Sequence, residues 1–151
     1  MPTFATLQTI RGFFPISDQW ATSGQPKISH FHAIANAGFE CVVNLLPENE
    51  VLLGEPELVR ELGMEYHAIP VIWTKPTPEN FAAFVALMQS SSERKLYVHC
   101  AANMRVSAFT YLYCTLFLGV DEVAARTAMH QIWEPIPHWA EFIETIKRGK
   151  A

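Results

Sequence analysis

Residues 95–107, KLYVHCAANMRVS, constrain the fold more than any other stretch of this chain. Lys95–His99 is an apolar run too short for a helix of its own and reads as a buried strand. Phe109, Leu112, Tyr113 and Leu116 then keep helical spacing as far as Gly119, so the strand passes through a short loop straight into a helix. Such a unit needs further strands alongside it, with helices as the crossovers.

The rest of the chain supplies them. After a lead-in of residues 1–16 comes a short extended piece, Gln19–Thr22, and the turn Ser23-Gly24-Gln25-Pro26. Ile28, Phe31, Ile34 and Ala35 follow helical spacing, with Gly38 as the stop. Glu40–Leu46, ECVVNLL, reads as a second buried strand, followed by a helix over Pro56–Leu62 that ends at Gly63 and a strand over Glu65–Val71. Thr77-Pro78-Glu79 combines an N-cap, a proline at the first helical position and an acid in the first turn, and Phe81, Phe84, Val85 and Met88 form the stripe of that helix. Asp121 caps a helix to about Ile132, and a last one runs from about Pro137 to Arg148. The β-α-β-α order predicts one α/β domain over 1–151, a three-layer sandwich around a central, mostly parallel sheet of about four or five strands.

Composition narrows the function classes. Half the residues are apolar and 17% are charged, which excludes a disordered chain. A net charge of -4 without a dense basic run argues against a nucleic-acid partner, and Lys147-Arg148-Lys150 reads as a solvated tail. No apolar run reaches the roughly 18 residues of a membrane helix, and the N-terminus lacks signal-peptide features, so no membrane partner is expected. Cys41, Cys100 and Cys114 are an odd number in no zinc-like spacing, which fits a reducing cytoplasm. Cys41 and Cys114, in apolar surroundings, read as buried thiols.

Cys100 is different. It lies at the carboxyl end of a strand, where parallel sheets place ligands, and directly before a helix N-terminus, where unpaired N–H groups and the helix dipole favour an anion and a thiolate. Arg105 adds a planar cation suited to tetrahedral oxyanions, and Ala101 and Ala102 leave room for one. Such a layout serves the transfer of phosphoryl groups or of sulfur.

HCAANMRVS resembles the HCxxGxxR[S/T] phosphate loop of the protein tyrosine and dual-specificity phosphatases. The wider pattern is similar to a bacterial branch of that superfamily, the DUF442 phosphatase-like proteins. There ATSGQP at 21–26, NAGFECVVNLLPE at 36–48, YHAIPV at 66–71, PTPENF at 76–81 and the Cys loop recur in this order, so the resemblance spans roughly residues 17–118. It implies a phosphatase fold, hydrolysis of a phosphorylated small molecule or protein, and no metal or other cofactor. Cys100 would be the nucleophile, and Arg105 and the loop N–H groups would bind the phosphoryl oxygens. Ser107 would donate to the sulfur and His99 would organise the loop. Ala101, Ala102, Asn103, Met104 and Gln25 would line the bound group.

Two departures bear on activity. Only four residues separate Cys100 from Arg105, one fewer than in the phosphatase motif, with Asn103 on the glycine position and Ser107 on the hydroxyl position. Asn tolerates left-handed backbone, and a loop one residue tighter is the expectation. The segment Ile69–Pro76 corresponds to the acid-bearing loop but holds no carboxylate, and a missing general acid costs roughly 10²–10⁴ in rate. Glu48, Glu50 and Glu79 read as loop or cap carboxylates and His67 as a packed strand residue. A four-residue Cys-to-Arg spacing is also that of many single-domain rhodaneses, which hold sulfur as a persulfide and need no acid. Sulfur transfer and a non-catalytic anion-binding module therefore stay open beside phosphatase chemistry. Ser23-Gly24-Gln25 reads equally as a pocket wall or a helix-entry turn. His30, His32, His130 and His138 read as surface or capping residues, and Trp73, Trp133 and Trp139 as packing or pocket walls.

Overall fold

A computed structural model describes residues 6–150. Five strands form one sheet in the order β1-β2-β5-β3-β4: β1 Phe14–Ser17, β2 Trp20–Ser23, β3 Cys41–Asn44, β4 Glu65–Ala68 and β5 Leu96–His99. β1 pairs antiparallel to β2, and every other pairing is parallel. Six helices whose bounds both lie among the described residues surround it: α1 Ile28–Asn36, α2 Glu55–Glu61, α3 Pro78–Ser90, α4 Met104–Phe117, α5 Glu122–Ile132 and α6 Pro137–Lys150.

Strand alternation sorts the core into two layers. Val42 and Tyr97 face α1 and α2, packing with Phe31, Ile34 and Val59. Cys41, Val43, Leu96 and Val98 face the other side, packing with Phe81, Phe84, Phe109, Leu112, Met129 and Trp139 of α3 to α6. The structure is thus the expected three-layer α/β sandwich.

Local chemistry sets the helix ends. Thr77 Oγ1 accepts from Asn80 N–H while Asn80 Oδ1 accepts from Thr77 N–H, each at 3.0 Å, closing the start of α3 reciprocally. Asp121 accepts from Ala124 N–H at the start of α5. Gly38 takes φ +93 after α1, as its stop position requires. No helix among the described residues is long and apolar enough to cross a membrane.

The expected lead-in over residues 1–16 needs correction, although residues 1–5 lie outside the described residues. Phe14–Ser17 is an edge strand, and its Pro15 hides the strand signal because proline is tolerated only at such edges. Arg11 and Gly12 also buttress the Cys loop, since Arg11 O accepts from Gly24 N–H at 2.7 Å and Gly12 O accepts from Asn103 Nδ2 at 2.9 Å. The strand expected over Glu65–Val71 ends at Ala68, two residues before Pro70.

Candidate active site

β5 delivers His99 and Cys100 to the carboxyl end of the sheet, and α4 starts at Met104. Asn103 stands between them with φ 65, the one non-glycine residue in left-handed backbone among the described residues. The glycine position of the motif therefore does require the conformation that Asn tolerates. Asn103 Nδ2 locks the turn by donating to Gly12 O and to Thr22 Oγ1, at 2.9 and 3.0 Å.

The Ser23-Gly24-Gln25 turn packs directly against this loop. Gln25 N–H donates to Ala101 O at 2.9 Å, and Gly24 pairs with Ala102. A Cβ on Gly24 would stand 2.5 Å from Ala101 O, so only glycine allows the approach. The Gln25 side chain turns the other way, donating from Nε2 to Glu55 Oε1 at 3.0 Å.

Behind the loop lies a buried polar network that sequence reasoning missed. Glu55 and His99 are both fully buried, with His99 Nε2 2.7 Å from Glu55 Oε2 and His99 Nδ1 3.2 Å from Cys100 O. Asn44 Nδ2 donates to Glu55 Oε2 at 3.3 Å and to Tyr66 Oη at 3.1 Å. Each ring nitrogen of His99 thus faces an oxygen, which fixes the imidazole beside the loop backbone. The one sequence signal was Asn44 inside an otherwise apolar strand, because a buried amide demands partners. On the same face of β5, toward β2, Tyr97 donates to Ser23 Oγ at 2.8 Å, and burial pushes its hydroxyl far above the usual tyrosine range.

Arg105 occupies the first turn of α4 and is 5% exposed. Its Nη1 donates to Val71 O at 2.9 Å, Nη2 lies 3.8 Å from Glu50 Oε1, and the guanidinium stacks 5.5 Å over the Trp73 ring. Its Nε is buried with no partner. Val106, which falls on the arginine position of the longer motif, is fully buried in the core. The guanidinium of Arg105 is thus held by Val71, Glu50 and Trp73, while Val106 turns into the core. Cys100 itself is 1% exposed.

The segment after β4 covers this region. Trp73 packs 5.6 Å from both Trp133 and Trp139, and its carbonyl accepts from Trp139 Nε1 at 2.9 Å. The three tryptophans pack together, as read from sequence. Ser107 Oγ donates to Met104 O at 2.9 Å and lines a cavity of about 340 Å³ with Thr22, Asn103, Thr110 and Cys114. Glu48 and Glu79 are exposed, and His67 is half-exposed, with Nε2 3.0 Å from Glu65 Oε1, rather than packed. Its place on the edge strand β4 is the reason. His30 caps α1 by accepting from Lys27 N–H, His130 lies 3.9 Å from Glu134, and His32 and His138 are exposed.

A strand-loop-helix turn around a cysteine, with an arginine in the first turn of the helix, on a β1-β2-β5-β3-β4 sheet defines a protein-tyrosine-phosphatase-like domain. Tk-PTP in its active form superposes with a TM-score of 0.76 at 17% identity, covering 91% of this chain and 97% of that one, a likeness of fold alone. A DUF442 protein of Shewanella putrefaciens CN-32, described as a candidate phosphatase, is 31% identical with a TM-score of 0.87 over 98% of this chain and 99% of its own. The chain belongs to the DUF442 family of that superfamily. A "Beta-lactamase hydrolase-like protein" of Xylella fastidiosa strain Temecula1 is 30% identical over 95 residues, 60% of this chain. The chain spans 22% of the length of that curated relative. No family model matches the chain.

Proposed function

We propose that the protein hydrolyses phosphomonoesters, on a small molecule or a protein, through Cys100. The observation that carries this reading is Arg105, a buried cation with an unpartnered Nε at the first turn of the helix that follows Cys100. A buried donor left unmade costs about 1–3 kcal/mol, which a bound oxyanion recovers. The N-terminal N–H groups of α4 point to the same end.

In the first step the Cys100 thiolate attacks phosphorus, the S–P bond forms, and the P–O bond to the alcohol breaks. Arg105 and the loop N–H groups bear the charge on the transferring oxygens. In the second step water attacks phosphorus, the S–P bond breaks, and the thiolate is restored with release of phosphate. Ile69–Pro76 supplies no carboxylate to protonate the leaving oxygen, so turnover is slow and favours good leaving groups. Arg105 ties the 69–76 segment to the start of the helix through Val71 O.

A second reading, sulfur transfer through a Cys100 persulfide, is favoured by the four-residue loop and by the same missing acid. One experiment separates the two. Aryl phosphate hydrolysis that falls at least about 1,000-fold in Cys100→Ser supports the phosphatase, as loss of a nucleophile costs several orders of magnitude. Persulfide formation from thiosulfate, without phosphate release, overturns it in favour of sulfur transfer.

A further inference from the structure

We propose that Cys41, Glu65 and His67 form a zinc-binding site at the amino-terminal end of the sheet, with water as the fourth ligand. The strand register brings the three together. Cys41 and Glu65 are paired residues of parallel β3 and β4, and His67 lies two residues beyond Glu65, so all three side chains leave the same face. Glu65 Oε1 is 3.0 Å from His67 Nε2 and 3.9 Å from Cys41 Sγ, and the three donor atoms all lie within 4.8 Å of one another.

Those spacings approach the edges of a tetrahedron. Zinc bonds of about 2.0–2.3 Å to nitrogen, oxygen and sulfur set donor-to-donor distances of about 3.3–3.7 Å. Rotation of the half-exposed Glu65 and His67 side chains, by up to about 1 Å at the donor atoms, brings them to those distances. A thiolate, an imidazole and a carboxylate are a borderline-soft set that suits zinc rather than magnesium or calcium. Arg94 Nη1 holds the other oxygen of Glu65 at 2.5 Å, leaving Oε1 turned to the sulfur and the imidazole. Glu65 and His67 are 51% and 35% exposed along their side chains, which gives the ion and its water access from solvent.

On binding, the Sγ–H proton passes to solvent and the Zn–S bond forms, with no change of oxidation state. The site ties edge strand β4 to β3 at the end of the sheet opposite Cys100. Three residues of strand, about 10 Å, separate Cys41 from the level of His99. Its metal therefore takes no part in chemistry at Cys100.

The test is a cobalt(II) titration of the full chain carrying Cys100→Ser and Cys114→Ser, so that Cys41 is the sole thiol. A thiolate-to-cobalt charge-transfer band that zinc displaces, and that disappears in Cys41→Ser, is the expected result. His67→Gln, at a half-exposed position, should weaken zinc at least about tenfold while leaving the metal-free melting temperature unchanged. It carries the test should Cys41→Ser fail to fold. Absence of the band, or zinc affinity in His67→Gln within about twofold of the parent, overturns the proposal.

Discussion

The two ends of one mostly parallel sheet carry the same three residue types in opposite settings. At the carboxyl end, Cys100, His99 and Glu55 are all buried, and the carboxylate is met by Gln25, Asn44 and His99. At the amino end, Cys41 is buried but Glu65 and His67 reach solvent, and the carboxylate is met by Arg94 and His67. The hydrogen bonds to Arg94 and His67 hold the Glu65 carboxyl below the usual range. Residue type alone does not set chemistry here. A helix N-terminus and a buried arginine make one cysteine a candidate nucleophile, while a strand edge open to water makes the other a candidate metal ligand.

The sharpest way to break this comparison is to remove the buried carboxylate. Glu55→Ala leaves His99, Asn44 and Gln25 facing an empty space and should cost about 3–5 kcal/mol, as breaking a buried pair does. Urea unfolding reads the loss directly. A cost below about 1 kcal/mol would show that the network is no more demanding than a surface pair.

Gly24→Ala tests the loop's backing. Its Cβ meets backbone rather than a flexible side chain, so overpacking should cost up to about 3 kcal/mol. The forced shift of Ala101 should lower turnover by up to about 100-fold even under conditions where the protein stays folded. Chemical denaturation and aryl phosphate assays together separate the two effects.

Alkaline stability gives a smaller effect with a defined sign. Burial pushes the Cys114 thiol up to about 11. An unfolded thiol ionises near 8.5, so above that pH the unfolded chain has released a proton that the folded chain still holds. Stability is therefore full below the unfolded value and falls as pH rises toward about 11, by about 3 kcal/mol for this group. Cys114→Ala should flatten part of that slope in melts between neutral and alkaline pH. At the amino end, Arg94→Gln should leave the melting temperature nearly unchanged, because an exposed ion pair is screened by solvent, and thermal melts will show whether that end is as lightly coupled as its exposure implies.

How much of this was legible in the sequence differs between the ends. The three-layer sheet and the Cys100 to Ser107 loop were readable because strand, turn and helix signals are local, and Asn103 in left-handed backbone followed from the motif position alone. β1 was masked by Pro15. Glu55 was invisible because its partners lie 11, 30 and 44 residues away, and a carboxylate before a proline at a helix start looks like an ordinary first-turn acid. The direction of Arg105 toward Val71 and Trp73 also depended on the path of the segment after β4. The Cys41 cluster depended on strand register, which no spacing rule for adjacent ligands captures.

The most direct measurement is acid-quenched peptide mass analysis of the protein turning over an aryl phosphate. Cys100 acting as a phosphatase nucleophile predicts a phosphoryl group on the peptide bearing Cys100 and none in Cys100→Ser. An unmodified Cys100 peptide during steady hydrolysis, or turnover that survives Cys100→Ser, would contradict it.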